Sequence, residues 1–285
     1  SPMIIGLTIV AMGSSAPEIM VSATASLSGN TDTAIGNAIG SNITNIALVL
    51  GLTALLKPLT VASTTLKREM PVLLAVSLLA TYFLADLYLS LSEGLVLFVL
   101  FFFTIGGLAW MSYHMEKGDP LEQETHDEVP DGVPTKKAVI WLLVGLVLLP
   151  LSAHFMVNSA VVIAHHFGLS DLVIGLTIIA IGTSLPELAA SIAGVLKGED
   201  DLALGNIIGS NIFNILAVMA MPGLIAPGPV DPDAASRDIY TMLGLSFLLV
   251  IFCFNLRGTR RINRFEALAF LGCFVAYQYF VFNQG

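Results

Sequence analysis

Apolar runs separated by short polar connectors account for most of this chain. Residues 3–27, 34–56, 70–89, 94–114, 138–166, 171–196, 203–226, 239–256 and 265–282 are each long and apolar enough to cross a hydrocarbon layer of about 30 Å as a helix. The pattern predicts an all-α polytopic membrane protein with about nine spans, whose solvent is the lipid bilayer. Composition agrees, since 55% of the 285 residues are hydrophobic and only 12% are charged, too apolar for a soluble domain. No nucleic-acid partner is expected of such a chain.

The formal charge of −9 changes this picture little, because most of the acidic excess sits in EKGDPLEQETHDEVPDGVPTKK, residues 116–137, which reads as a solvated linker. The basic residues say more. With nine alternating spans, one side holds Lys57, Lys67, Arg68, Lys117, Lys136, Lys137, Lys197, Arg257, Arg260, Arg261 and Arg264, and the other side holds only Arg237 of the 12. The positive-inside rule makes the first side cytoplasmic, with the linker, and leaves the C-terminus extracytoplasmic.

The chain repeats itself. GLTIVAMGSSAPE at Gly6–Glu18 returns as GLTIIAIGTSLPE at Gly175–Glu187, and AIGNAIGSNITNI at Ala34–Ile46 returns in the same register as ALGNIIGSNIFNI at Ala203–Ile215. The second Glu-bearing helix is the fifth span after the first, and an odd step turns the second copy upside down, as in transporters built from inverted repeats. The run Ala138 to Phe167 precedes the second copy, whereas the first copy starts at Ser1, aligned with Ser170. The expectation is therefore two inverted-topology five-helix repeats, ten spans natively, with the first span absent from this chain. The divisions are 1–115, the first repeat lacking its first helix; 116–137, the linker; and 138–285, the second repeat.

What is duplicated is a carboxylate within an apolar segment. Of the 21 acidic residues only Glu18 and Glu187 fall deep within predicted spans, and no Lys, Arg or plausible His lies at their depth. Such an acid either takes up a proton or holds a cation, because a bare buried charge is too costly. Pro17 and Pro186 lack an N–H and predict unwinding over Gly13–Pro17 and Gly182–Pro186, which frees carbonyl oxygens. Ser14 and Ala11 share the helix face of Glu18, as Thr183 and Ala180 share that of Glu187. Asn37, Ser41 and Asn45 form a polar stripe of period four, repeated by Asn206, Ser210 and Asn214. The stripe lines the site at Ser41, Asn45, Ser210 and Asn214, whereas Asn37 and Asn206 read equally as helix–helix glue. Beside it, Gly36 and Gly40, matched by Gly205 and Gly209, make a close-packing face. Oxygen ligands without Cys or His suit hard cations, calcium and sodium before magnesium. Protons remain open as the coupling ion, as does a passive channel; an intramembrane hydrolase would lack a base for Ser14, Ser15 or Ser184.

Smaller features carry less. Cys253 and Cys273 read as small core residues, and Trp110, Tyr113, Tyr277 and Tyr279 as interfacial anchors. His154, His165 and His166 read as packing or interfacial residues. Asp231, Asp233 and Asp238 are placed on the outer side, as solvated loop or as a lure for cations.

At the doubled G-[ST]-S-x-P-E and G-N-x-x-G-S-N-I motifs the chain resembles the sodium/calcium exchanger family of the cation/calcium exchanger superfamily, over nearly its whole length. The short linker is similar to the prokaryotic calcium/sodium antiporter branch, which implies the plasma (inner) membrane. The resemblance implies that Glu18 and Glu187 bind calcium with the backbone carbonyls of Ser14 and Thr183. It further implies that sodium uses Ala11, Ser15, Ser41, Ala180, Ser184 and Ser210 with both Glu, and that Asn45 and Asn214 complete the centre. Some relatives have Asp where Asn214 stands, so Asn in both copies argues against potassium coupling. The expected protein is an antiporter and not an enzyme, a functional monomer without cofactor, whose transported ions are calcium and sodium, with protons as the alternative to sodium.

Overall fold

A computed structural model describes residues 11–61, 69–113, 135–254 and 261–284. The described chain is almost wholly helical: α1 (Ala11–Ser14), α2 (Ala16–Leu27), α3 (Thr31–Leu56), α4 (Met70–Leu84), α5 (Leu91–Tyr113), α6 (Thr135–His166), α7 (Asp171–Lys197), α8 (Asp200–Ile225), α9 (Ala234–Cys253) and α10 (Arg264–Gln284). Among these, α3, α7, α8, α9 and α10 are long and apolar enough to cross a membrane, whereas Met70–Leu84 and Leu91–Gly107 are shorter apolar helices. The helices follow the predicted runs closely. The first run begins outside the described residues, and so does the linker, except that its last three residues, 135–137, already open α6.

Two helices form the centre. Most of α3 and α8 is buried, while α9 and α10 expose most of their surface, the arrangement expected of helices that face lipid on one side. Ile35, Ile39, Ile43, Ile46 and Leu50 on α3 and Leu204, Ile207, Ile208, Leu216 and Val218 on α8 are fully shielded. Both central helices widen into a π-helical stretch, Thr44–Leu50 in α3 and Asn214–Val218 in α8, and α7 has another at Gly175–Ile179. Such wide turns shift the register of side chains and recur at functional sites. Here they carry Asn45 and Asn214.

Contacts exchange between the two copies. The end of α3 packs on α10 and the corresponding end of α8 packs on α5; α4 packs on its own counterpart α9. Two short antiparallel pairs close the ends of the bundle. Leu59 pairs with Ile262 and Thr60 with Arg261, whereas Tyr88 pairs with Pro229 and Leu89 with Gly228. The first pair gathers Lys57, Arg261 and Arg264 at one end; Arg264 donates to Leu56 O at 3.4 Å and Lys57 bridges to Asp200 at 2.9 Å. Asp86 and Asp231 adjoin the second pair, so the basic residues named here gather at the first pair and acids stand beside the second.

Several expectations need correction. Tyr277 is not an interfacial anchor and Asp238 is not a surface acid: both are buried, and Tyr277 Oη donates to Asp238 Oδ1 at 3.0 Å. Arg237 completes the group with Nε to Asp238 Oδ1 at 2.8 Å and Nη1 to Asp233 at 3.0 Å. Three donors on Asp238, Tyr277 Oη with Arg237 Nε and Nη2, are what let it leave solvent. Glu69 is likewise buried, so Glu18 and Glu187 are not alone among shielded acids. Cys253 is buried but Cys273 is exposed, because it lies on the outward side of peripheral α10. Trp110, Tyr279 and His166 are exposed, and the side chains of Tyr113, His154 and His165 lie outside the described residues.

Candidate cation site

The repeated motif breaks its helix at one residue. In the first copy α1 ends at Ser14 and α2 begins at Ala16, with Ser15 at φ −87°, ψ 9°; in the second, Ser184 interrupts α7 at φ −83°, ψ 3°. The interruption is narrower than the five residues expected from the prolines. Pro17 and Pro186 stand in the first turn of the restarted helix, where a missing N–H leaves no bond unmade. Glu18 and Glu187 follow in that same first turn, at the end of the helix dipole that favours negative charge. The sequence thus places each acid at a fresh helix N-terminus in the middle of an apolar segment.

Packing then interleaves the copies. Ser15 Oγ of the first copy donates to Glu187 Oε1 at 3.1 Å, and Ser210 Oγ on α8 donates to the same oxygen at 3.3 Å. Ser14 also lies against Glu187, and Thr183 against Glu18, so each acid meets the hydroxyl of the opposite copy and not the one preceding it on its own helix. The two carboxylates are close enough to repel. Ser41 Oγ stands 3.4 Å from Thr183 Oγ1, and Ala180, fully buried, accepts the Ser184 N–H at 3.2 Å. Ala11 opens α1, and its side chain lies outside the described residues.

Close approach of α3 and α7 makes this interleaving possible. A Cβ on Gly40 would come within 2.8 Å of Ala180 Cβ, Leu176 Cα and Leu176 O, and one on Gly175 within 2.7 Å of Thr33 O. Gly36 is nearly as tight, at 3.0 Å from Leu172 O, whereas a Cβ on Gly205 would meet only Glu69 Oε2 at 3.9 Å. The glycine face predicted for both copies is therefore tightly closed at Gly36 and Gly40 and open at Gly205.

Both Glu18 and Glu187 are fully buried, and neither forms an ion pair among the described residues. Glu18 Oε1 and Oε2, Glu187 Oε2, Ser184 Oγ, and both amide atoms of Asn45 and Asn214 have no hydrogen-bond partner there. Buried polar atoms are rarely left so. Here both acids and the two amides of the π-helical stretches are among them. Carboxylate, hydroxyl and amide oxygens with no cationic side chain form a donor set that fits a hard cation, and the net charge of two carboxylates matches one divalent or two monovalent ions. Asn37, left undecided by its spacing, belongs to this network, with Nδ2 donating to Glu18 O at 3.1 Å. Asn211, outside the stripe, donates to Asn42 O at 3.4 Å where α3 and α8 cross; its recurrence within G-S-N was the only signal for it.

Comparison with known proteins follows the same lines. The family model described as sodium/calcium exchanger protein matches residues 1–110 and 137–283. CaxA of Alkalimonas amylolytica, which carries the name of an antiporter, is 58% identical over 284 residues, covering 100% of this chain and 89% of its own. The inner membrane protein YrbG of Escherichia coli is 46% identical over 256 residues, covering 89% of this chain and 79% of its own. The solved structure of the sodium-calcium exchanger NCX_Mj soaked with Na+ and Sr2+ superposes with a TM-score of 0.77 at 32% identity, over 97% of this chain and 86% of that one.

Proposed function

The chain belongs to the sodium/calcium exchanger protein family, integral membrane transporters and not enzymes, and we propose that it moves calcium against sodium by alternating access at a midplane site built on Glu18 and Glu187. The observation that carries the reading is the meeting of two fully buried acids, one from each copy, among oxygen atoms without hydrogen-bond partners. Ser14, Ser15, Ser41, Thr183, Ser184 and Ser210 supply hydroxyl or carbonyl oxygens around them, with Ala11 and Ala180 through their carbonyls and Asn45 and Asn214 through their amides.

One calcium or two sodium ions neutralise the same pair of carboxylates. Each ion is therefore stable there only when the other has left, which couples the two gradients at a single site. If more than two sodium ions move per calcium, the membrane potential adds about 2.3 kcal/mol per net charge per 100 mV. Residues 1–115 and 138–285 form the two inverted repeats, joined by a cytoplasmic linker at 116–137, and the exchange of contacts between α3–α10 and α5–α8 supports that layout. The asymmetry of Lys and Arg supports a cytoplasmic linker and an extracytoplasmic C-terminus, and the similarity to an inner membrane protein supports the prokaryotic inner membrane, where a single chain holds a whole site.

Calcium-45 uptake into inverted vesicles, driven in turn by sodium, potassium and pH gradients, tests the proposal. Uptake that requires sodium sustains it. Uptake in sodium-free medium that follows an imposed pH gradient would make the protein a calcium/proton antiporter on the same Glu pair.

A further inference from the structure

Asn37 is fully buried on α3, one turn before Ser41, and its amide reaches three segments. Its Nδ2 donates to the main-chain oxygen of Glu18 at 3.1 Å. A carbonyl only accepts, so this bond determines which end of the amide faces which way. Oδ1 is thereby turned to the hydroxyls of Ser41, at 3.5 Å, and of Thr183 in the opposite copy, at 3.4 Å. Thr183 Oγ1 also lies 3.5 Å from Ala180 O, a second outlet for its hydrogen away from Glu18.

A hydroxyl has one hydrogen and two lone pairs. When its hydrogen points at an acceptor on the scaffold, its lone pairs are left for a cation; when its hydrogen points into the site, it repels one. Building on the Glu18/Glu187 reading, we propose that Asn37 is a positioning residue for cation exchange: it tethers the backbone of Glu18 and turns the Ser41 and Thr183 hydroxyls so that their oxygens face the ion held by Glu18. The contacts are long for hydrogen bonds. A cation drawing on the oxygens would polarise the O–H groups and shorten them. The counterpart Asn206, also buried, has no hydrogen-bond partner for either amide atom among the described residues, so there the device belongs to the first copy.

The test uses the full chain reconstituted in lipid vesicles, with calcium-45 exchange measured at graded sodium and calcium. Asn37→Leu keeps the branched shape and removes both polar ends. It is expected to raise the half-saturating concentrations about tenfold while the maximal rate stays within about twofold, and Asn206→Leu is expected to shift them by less than about threefold. Because Asn37 acts through Thr183, adding Thr183→Val to Asn37→Leu should weaken binding less than the product of the separate effects. Multiplicative losses, unchanged half-saturation, or a lost maximal rate at unchanged half-saturation would each overturn the proposal. Should Asn37→Leu fail to run as a monodisperse protein, Asn37→Ser, whose hydroxyl is too short to join all three partners, is read the same way. Glu18→Gln runs alongside: if it retains exchange, the site reading itself fails, whereas a dead Glu18→Gln beside a wild-type-like Asn37→Leu removes only the role of Asn37.

Discussion

Around Glu187 one carboxylate oxygen collects the Ser15 hydroxyl at 3.1 Å and the Ser210 hydroxyl at 3.3 Å; around Glu18 neither oxygen has a hydrogen bond among the described residues. The counterparts of those donors are present. Ser184 occupies the position of Ser15, yet its hydroxyl is without a partner among the described residues, and Ser41 occupies that of Ser210, yet it is turned to Asn37 and Thr183. The two asparagines account for half of the difference. Asn37 engages Ser41, whereas the Asn206 amide has no hydrogen-bond partner among the described residues, which leaves Ser210 to turn to Glu187. A nearly identical motif thus yields one acid held by two hydroxyls and one whose carboxylate takes no hydrogen bond among the described residues, with Thr183 lying against it.

The severest way to break this comparison is to neutralise each acid. Glu18→Gln and Glu187→Gln should each lower sodium-dependent calcium uptake in inverted vesicles by more than about 100-fold, the loss of close to 3 kcal/mol of binding or more, with the protein still inserted. Retained exchange in either variant would show that the two copies do not share one site. A second contrast concerns packing. Gly40→Ala should cost about 1–3 kcal/mol, since its new methyl meets the backbone of α7, and Gly205→Ala should stay within about 0.5 kcal/mol. Melting of the two variants in detergent measures both, and equal losses would show that the glycine faces are equivalent after all.

A finer contrast uses the hydroxyls. Hydrogen bonds to charged groups contribute about 1.5–3 kcal/mol and those between neutral groups about 0.5–1.5 kcal/mol, so Ser210→Ala should lower the stability of the ion-free protein by the first amount and Ser41→Ala by the second. Melting of both variants in sodium- and calcium-free detergent decides it, and a larger effect at Ser41 would reverse the assignment of the held acid. The smallest effect lies outside both motifs. Tyr277→Phe removes one donor to Asp238 while Arg237 remains, so it should lower the melting stability by about 1.5 kcal/mol or less and leave exchange within about twofold. A loss of exchange there would extend the functional asymmetry beyond the Glu-bearing helices.

Much of the site was legible in the chain. Glu18 and Glu187 announced themselves as acids inside apolar runs, and Pro17 and Pro186 marked where their helices restart. The stripe of Ser41, Asn45, Ser210 and Asn214 followed from a period of four. Other features left no such trace. Asn37 and Asn206 are the same residue in the same motif, and only their neighbours separate them. Asp238 and Tyr277 sit near the ends of apolar runs, where acids and phenols ordinarily meet water; their burial depends on Arg237 and on the packing of α9 with α10. The π-helical stretches that carry Asn45 and Asn214 have no composition of their own.

The sequence by itself determined the helices, the duplication, the pair of shielded acids and the end of the bundle to which the basic residues belong, because each of these depends on local hydrophobicity or on spacing along one helix. Tertiary structure alone decided which hydroxyl meets which carboxylate. Helical periodicity states the face on which a side chain lies and is silent about what that face touches. Ser15 reaches Glu187 and Asn37 reaches Thr183 only because Gly40 and Gly175 let the backbones of α3 and α7 approach until the two copies share one set of oxygens.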